Sequence, residues 1–506
     1  MAENSLQSRL AIVPEVTEGT LVDVSGGTQF IPLQPGFEFV PNIDTIENEE
    51  IRGSIGSAKP IQGLSRPSSS FKGYLKHSGV EGQAPNWGEL LESLFGSTSV
   101  NATERTLTSS STTILLKAAA GGSDFARGKA VMIKDGTNGY SIRPVDSVAT
   151  NDLSLGFAVP VAPASGVTLG KCVNYTPTDS GHETLSLWLY RGNGGALEAI
   201  AGARVTEWTM DVSVGELINQ SFSLGGTGFY MNPIRITSST RYIDFTDDDG
   251  AHAAVIPIAV YKDPHELAAA AQAAMRTVQT DKMATVVFNS LGADAGKFTF
   301  KATGDTVFEL NWATGANTAN GAATKFGFTV ADETGASGTV GYKSDSVQSY
   351  AAGFSPSYDA ADPMIAQDME ILIGDTSDYD SVCVKTCSIK VTNEKNDILC
   401  ISAATGVDGS VINKRATEIT ILAQLKRHDA DKFRRFLNNV DTKFLFNFGV
   451  KSGGNWVAGK CGCVYVPTAT ISAYQHGDDN GIVTMEYTIR PYVNASGEPE
   501  IYLNFL

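Results

Sequence analysis

The residues of this chain that could carry chemistry are six histidines, a late group of cysteines, two aspartate runs and a glycine-rich stretch that follows a burst of acid. A phosphate loop needs two glycines framing four residues, then Lys and Ser or Thr opening a helix, so that backbone N–H groups face the phosphate. In ENEEIRGSIGSAKPIQGLSR (47–66), Gly53 and Gly56 are followed by Ala58, Lys59 and Pro60, and no helical pattern starts there. The stretch therefore reads as architectural. His77, His182, His252, His265, His428 and His476 are scattered, without an HExxH pair or a GxSxG elbow beside any serine, and are expected at the surface or at helix ends. On a strand Cys383 and Cys387 would share a face, as would Cys461 and Cys463, but neither spacing is that of a zinc knuckle, so buried thiols are expected. Asp247-Asp248-Asp249-Gly250 and Asp478-Asp479 lack the later Glu of a calcium loop and read as exposed turns. Trp188, Trp208, Trp312 and Trp456 lie on strand-like segments, where core packing is preferred to a sugar-binding platform. No catalytic, cofactor-binding or metal-binding residue is assigned, no cofactor is expected, and the chain is not read as an enzyme.

The elements that hold these residues follow from composition. The chain has 506 residues, more than one domain of about 150 residues needs. Its 51 glycines and its many Thr, Ser and Val favour strands and turns over helical bundles. A net charge of -17 sets most of the surface against nucleic-acid phosphates, which argues against tight DNA binding. The start, MAENSLQSRLAIVPEV, has no basic segment leading into an apolar run, so no secretory signal is expected. The most apolar stretch, AAVIPIAVY (253–261), is too short to cross a membrane as a helix.

Read for order, the chain repeats itself. FEFVPNIDTI (37–46) and FKGYL (71–75) read as strands flanking the glycine-rich stretch, a long hairpin with a wide loop. PNWGELLESLFGS follows, a short helix with Leu90, Leu91, Leu94 and Phe95 on one face and Gly96 at its C-cap. From 384, strand, acidic turn, a loop with Gly406 and Gly409, Arg415 in the place of Arg66 and another strand run in the same order. HDADKFRRFLNNV then places Phe433, Phe436 and Leu437 on one helical face, with His428 or Asp429 at its start. In the strands beyond, Gly194-Gly195 answers Gly453-Gly454, Trp188 answers Phe446, and Phe222 answers Met485 or Tyr487. The expected fold is mainly β: two tandem β-sandwich units, each with a short flanking helix, plus two inserts. The first unit covers 1–105 and 176–233, a small β-barrel-like insert 106–175, an α+β insert 234–347 and the second unit 348–506. In the α+β insert Asp263, Pro264 and Glu266 are N-cap, N1 and N3 of an Ala-rich helix.

VPEVTEGTLVDVSGGTQFIPL, the acidic hairpin with GSIG and Arg66, then SLWLY, GARV and SFSLGGTGF resemble the major tail tube protein of long-tailed (siphovirus-type) bacteriophages over roughly 11–105 and 180–232. Residues 380–492 resemble the same unit more weakly. The resemblance implies a structural virion protein of the phage tail, assembled in the host cytoplasm, whose rings stack into a hollow tube that conducts genome DNA without binding it specifically. A chain with two tube units would close as a trimer of pseudo-sixfold symmetry. The partners implied are further copies of the chain, a tape-measure protein, a tail terminator and distal tail or baseplate proteins. The wide hairpin loops, 50–63 and 401–414, would be ring-stacking loops, carried by Gly53, Ser54, Ile55, Gly56 and Ile61 in the first and Gly406, Val407, Gly409 and Val411 in the second. Competing readings are a glycan-binding adhesin, a glycan-cleaving enzyme and a baseplate or decoration protein.

Overall fold

The computed structural model describes residues 5–50, 58–108, 111–192, 196–280, 283–350, 353–359, 361–403, 405–425 and 430–506. The fold is mainly β. It divides into two compact units, one made of Met1–Leu10, Leu187–Ile200 and Phe229–Ser355, the other of Ala11–Ser186, Ala201–Gly228 and Pro356–Leu506.

In the second of these, the segment 37–46 is two strands rather than the one expected: β1 (Glu38–Val40) and β2 (Ile43–Ile46), broken where Asn42 takes φ 40°. Asn tolerates this left-handed conformation better than a branched residue would. The return strands are β3 (Ile61–Ser65) and β4 (Ser68–Tyr74). Helix α1 (Gly88–Phe95) stops at Gly96, φ 87°, whose N–H donates to the Glu92 carbonyl at 2.7 Å. Leu90, Leu91, Leu94 and Phe95 are all fully buried, as their spacing predicts. Of the strands that follow, β5 (Leu185–Arg191) and the start of the long β6 (Ala196–Ser213) fall largely in the first compact unit, and the rest of β6 with β7 (Asn219–Gly225) in the second.

Six short strands between Arg105 and Leu169 form a sheet of their own, and a bridge from Leu107 to Ala118 joins its first and last members. Leu116, Val131, Ile133, Val145 and Leu153 fill its interior. In the other compact unit, α2 (Pro264–Val278) is capped by Asp263, whose carboxylate accepts the Glu266 N–H at 2.9 Å. This helix packs with Phe298, Phe300, Trp312 and Phe326 into a separate core. The turn at Asp247 departs from expectation, because its carboxylate is buried and accepts from Gln279 at 2.7 Å and His252 at 2.8 Å. A buried carboxylate needs such donors, which the neighbouring strand and helix supply.

The later hairpin is a two-stranded ribbon of β8 (Val384–Leu399) and β9 (Val407–Gln424), followed by α3 (Ala430–Leu437), β10 (Thr442–Ser452), β11 (Asn455–Asp479) and β12 (Ile482–Pro491). Its pairing follows that of β1–β7 row by row. Phe39 faces Ser69, which faces Leu224, which faces Val205. Likewise Ile389 faces Ile419, then Ile489, then Ile471. In each row the strand irregularity follows at once, between Val205 and Glu207 and between Ile471 and Ala473. The hairpins agree further out: Ile43–Ser65, Thr45–Gln62 and Ile46–Ile61 answer Asn393–Arg415, Lys395–Ile412 and Asn396–Val411. By this register Phe222 answers Tyr487, while Arg415 occupies the row of Ser65 and not of Arg66. A seam of seven rows, Glu207–Thr392 to Ser213–Thr386, joins β6 to β8 antiparallel.

The two helices differ in cover. Phe95 packs edge-to-face on Trp208 with centroids 6.4 Å apart, both fully buried. On the corresponding strand position Phe433 leans on Tyr474 at 5.3 Å, yet Phe433 is 43% and Leu437 63% exposed. Trp208→Ala should therefore cost about 3–5 kcal/mol in chemical denaturation of the isolated chain, and Tyr474→Ala less than half of that. Equal losses would mean that the two positions are packed alike.

Candidate functional site

Most residues that could do chemistry serve packing here. Cys172, Cys461 and Cys463 are buried in one apolar cluster, and burial holds their thiols protonated, pushing Cys172 up to about 11. Cys383 and Cys387 do not share a face as expected: Cys383 is exposed just before β8, Cys387 is buried, and the register shift between Val384 and Thr386 breaks the period of two. Trp188, Trp208, Trp312 and Trp456 are all buried. His77 and His182 are buried rather than superficial, and His182 spans the carbonyls of Ser93 and Thr178 at 3.0 and 3.2 Å.

The VPEVTEGT motif fixes chain ends against strands far away in sequence. Glu15 accepts the N–H of Gly19 at 2.8 Å, the N–H of Gly202 at 2.9 Å and the Ser186 hydroxyl at 2.9 Å. Burial raises its carboxyl, and those three donors pull it back. Glu18 bridges to Arg204 at 2.9 Å and accepts the Ser410 hydroxyl at 2.7 Å, while Arg204 also donates to Ser410 at 3.1 Å and to the His182 carbonyl. Glu18 thus ties β6 to the ribbon just beneath its tip. The motif was visible in the sequence, but its partners were not.

The tips are where sequence placed the candidate site. Gly53, Ser54, Ile55 and Gly56 lie outside the described residues, as do His428, Asp429 and Gly194-Gly195. Ile61, on β3, is 57% exposed, and Val411 occupies the answering row and is also exposed. Gly406 takes φ 77° in the turn between β8 and β9, while Val407 and Gly409 are buried. The two hairpins lie side by side. The Ser65 N–H reaches the Thr405 carbonyl at 3.4 Å, a Cβ on Gly406 would strike Leu64, and Arg66 pairs with Asp397 at 3.2 Å. Ile398, Leu399 and Ile401 stand exposed at the ribbon end. Exposed apolar side chains backed by a part-buried ion network suit docking to another protein surface better than chemistry on a small molecule.

One acidic cluster escaped the sequence reading. Glu89 and Glu92, one turn apart on α1, meet Glu183 with carboxylate oxygens within 4.8 Å. The i, i+3 spacing was legible, whereas Glu183 arrives from the strand side. Burial, with the charges of Glu183 and Glu89, lifts the Glu92 carboxyl from an ordinary 4.5 to about 7.

A family model described as phage tail tube protein matches residues 5–250. These residues, just under half of the chain, are similar to the phage tail tube family. That likeness supports a structural protein of the virion tail. The match covers β1–β7 and α1, and the ribbon of β8–β12 lies beyond it. Among solved structures the chain is similar to the tube-terminating cap of the anti-feeding prophage, at 12% identity over 28% of this chain and 92% of that one, with a TM-score of 0.22. It is also similar to a chain of the native gene transfer agent virion, at 17% identity over 24% and 88%, and to the SPP1 tail tube, at 16% over 25% and 75%, each with a TM-score of 0.18. Likenesses with scores this low carry no weight for fold or assembly. No match was found among curated proteins. Among the described residues no helix is long and apolar enough to cross a membrane.

The acidic cluster yields a prediction with a definite sign. A carboxyl whose folded value is raised contributes no penalty below its ordinary 4.5, and the penalty grows as pH rises through about 7. Glu92→Gln should accordingly stabilise the protein above pH 7, by about 1 kcal/mol after allowing for solvent screening of a part-exposed group, and do nothing at pH 4. Denaturation curves at the two pH values check this, and a gain that is the same at both would contradict it.

Proposed function

We propose that the chain is the ring-forming subunit of the tail tube, with two tube units in one polypeptide, so that three chains close a ring of six. The observation that carries this reading is the row-by-row agreement of β1–β7 with β8–β12 and the antiparallel seam between them. Each unit presents the neighbour that the other unit requires. The proposed domains are 1–105 with 176–233 and 348–506 as tube units, with 106–175 and 234–347 as inserts that decorate the tube. Rings stack through the hairpin tips, 50–63 and 401–414, where Ile61, Ile401 and Val411 are exposed in the single chain, with Ile398 and Leu399 exposed just beside the second tip.

An excess of acid suits a conduit for DNA, because every Lys or Arg on a phosphate adds to binding and so to drag. Genome DNA passes along the lumen without a specific site. A tape-measure protein, a tail terminator and distal tail proteins are the further partners, and assembly takes place in the host cytoplasm. The adhesin reading loses its main support, since the four tryptophans that could have formed a sugar platform are buried.

Negative-stain microscopy of the concentrated protein, set beside its mass in dilute solution, tests the reading. Hollow rings or tubes with three chains per ring are expected. A monomer at every concentration, with and without tape-measure protein, would overturn it. Deleting residues 53–62 should leave rings that no longer stack, and tubes of ordinary length from that variant would remove the stacking role from the first loop.

A further inference from the structure

The seam between β6 and β8 is a template for a second seam that a single chain cannot form. β8 answers β1 and β6 answers β11 row for row, so the chain carries one seam inside and the two halves of another at its ends. Those halves are open. Among the described residues the pairing register of β1 is with β4 alone, and no strand pairs with the outer side of Gln475–Gly477, whose other side pairs with β12. Both edges lie in the same compact unit, and Glu38, Val40, Gln475, His476 and Gly477 are all exposed.

We infer that β11 of one chain pairs antiparallel with β1 of a second copy, in the register of the internal seam. This rests on the proposed ring of three chains and adds to it the residues that meet. Inside the chain Thr209 faces Lys390, Met210 faces Ile389 and Asp211 faces Ser388. By the row equivalence, Gln475 faces Val40 of the partner subunit, His476 faces Phe39 of the partner subunit and Gly477 faces Glu38 of the partner subunit.

The side chains have changed in step with the role. Across the internal seam Lys390 pairs with Glu207 at 2.7 Å. The answering residues are Val40 and Ala473, so both charges of that pair are absent together. In the internal seam Asn393 of β8 covers the end of α1, donating to the Leu94 carbonyl at 2.8 Å. Its counterpart is Ile43, 44% exposed, and the uncovered helix is α3 with its exposed Phe433 and Leu437. An apolar contact across the open seam takes the place of a polar one inside the chain, which accounts for why the second helix leaves its apolar face bare.

Disulfide trapping tests the register. In a background of Cys383→Ser and Cys400→Ser, Val40→Cys with Gln475→Cys places two thiols directly opposite, within reach of a bond at strand-pair spacing. Val40→Cys with His476→Cys places them on opposite faces. Oxidation of assembled protein should convert the first variant to linked dimers and trimers and nothing larger, and leave the second as monomers on a denaturing gel. Rings visible by microscopy without cross-linking of the first variant, or with equal cross-linking of both, would overturn the register and leave the ring reading standing. Absence of any oligomer in the parent protein would overturn both. A charge exchange gives an independent check: Val40→Lys should raise several-fold the concentration at which rings form, and adding Ala473→Glu should restore it by rebuilding the Lys390–Glu207 pair between chains. Failure of that rescue, in variants whose melting is unchanged, would also count against the register.

Discussion

A β-strand satisfies its backbone only in company, and every edge left open is a row of donors and acceptors that must find water or another chain. The seven rows between β6 and β8 meet that requirement inside the chain and fix the two hairpin units in one sheet. Much else depends on this seam. It buries Trp208, and it brings Asn393 over the end of α1. Beyond the seam β8 continues as one strand, where its counterpart is broken at Asn42 into β1 and β2.

The seam would not hold its geometry if the chain around it were loose. Glu15 and Glu18 supply the anchors, one gathering Gly19, Gly202 and Ser186, the other joining Arg204 to Ser410 at the base of the ribbon. Such part-buried carboxylates are stable only because each oxygen is met by a donor, and a network of this kind sets position more than it adds stability. The ribbon beyond it is tied at its base and carries Ile398, Leu399 and Ile401 exposed at its end.

How much of this was legible in the sequence depended on the range of the interaction. The buried face of α1, its stop at Gly96 and the Asp263 cap are set by neighbours three or four residues away, and all three were readable. Element order was readable too, because hydrophobic period and turn residues survive divergence. Pairings across long separations were not: Glu18 with Arg204, Glu183 with α1, and the choice between Met485 and Tyr487 as counterpart of Phe222 all depend on register. Register is a property of two strands at once. One added residue, as between Val384 and Thr386, turned the expected face of Cys383 away from Cys387, and one row of drift misaligned Arg415 with Arg66.

The divergence between the two halves has a physical direction. Row partners keep their backbone hydrogen bonds whatever side chains they carry, so Phe39, Ser69, Leu224 and Val205 could become Ile389, Ile419, Ile489 and Ile471 without loss of topology. The edges, by contrast, face different demands. An internal seam is closed by the covalent chain, its effective concentration already high, and tolerates a charged pair such as Lys390 with Glu207 at its solvent side. A seam between chains must overcome the translational and rotational entropy lost on association, several kcal/mol before any contact counts. Apolar side chains at Val40, Ile43, Phe433 and Leu437, exposed in the single chain and covered in the inferred seam when a second copy arrives, supply that margin along this edge.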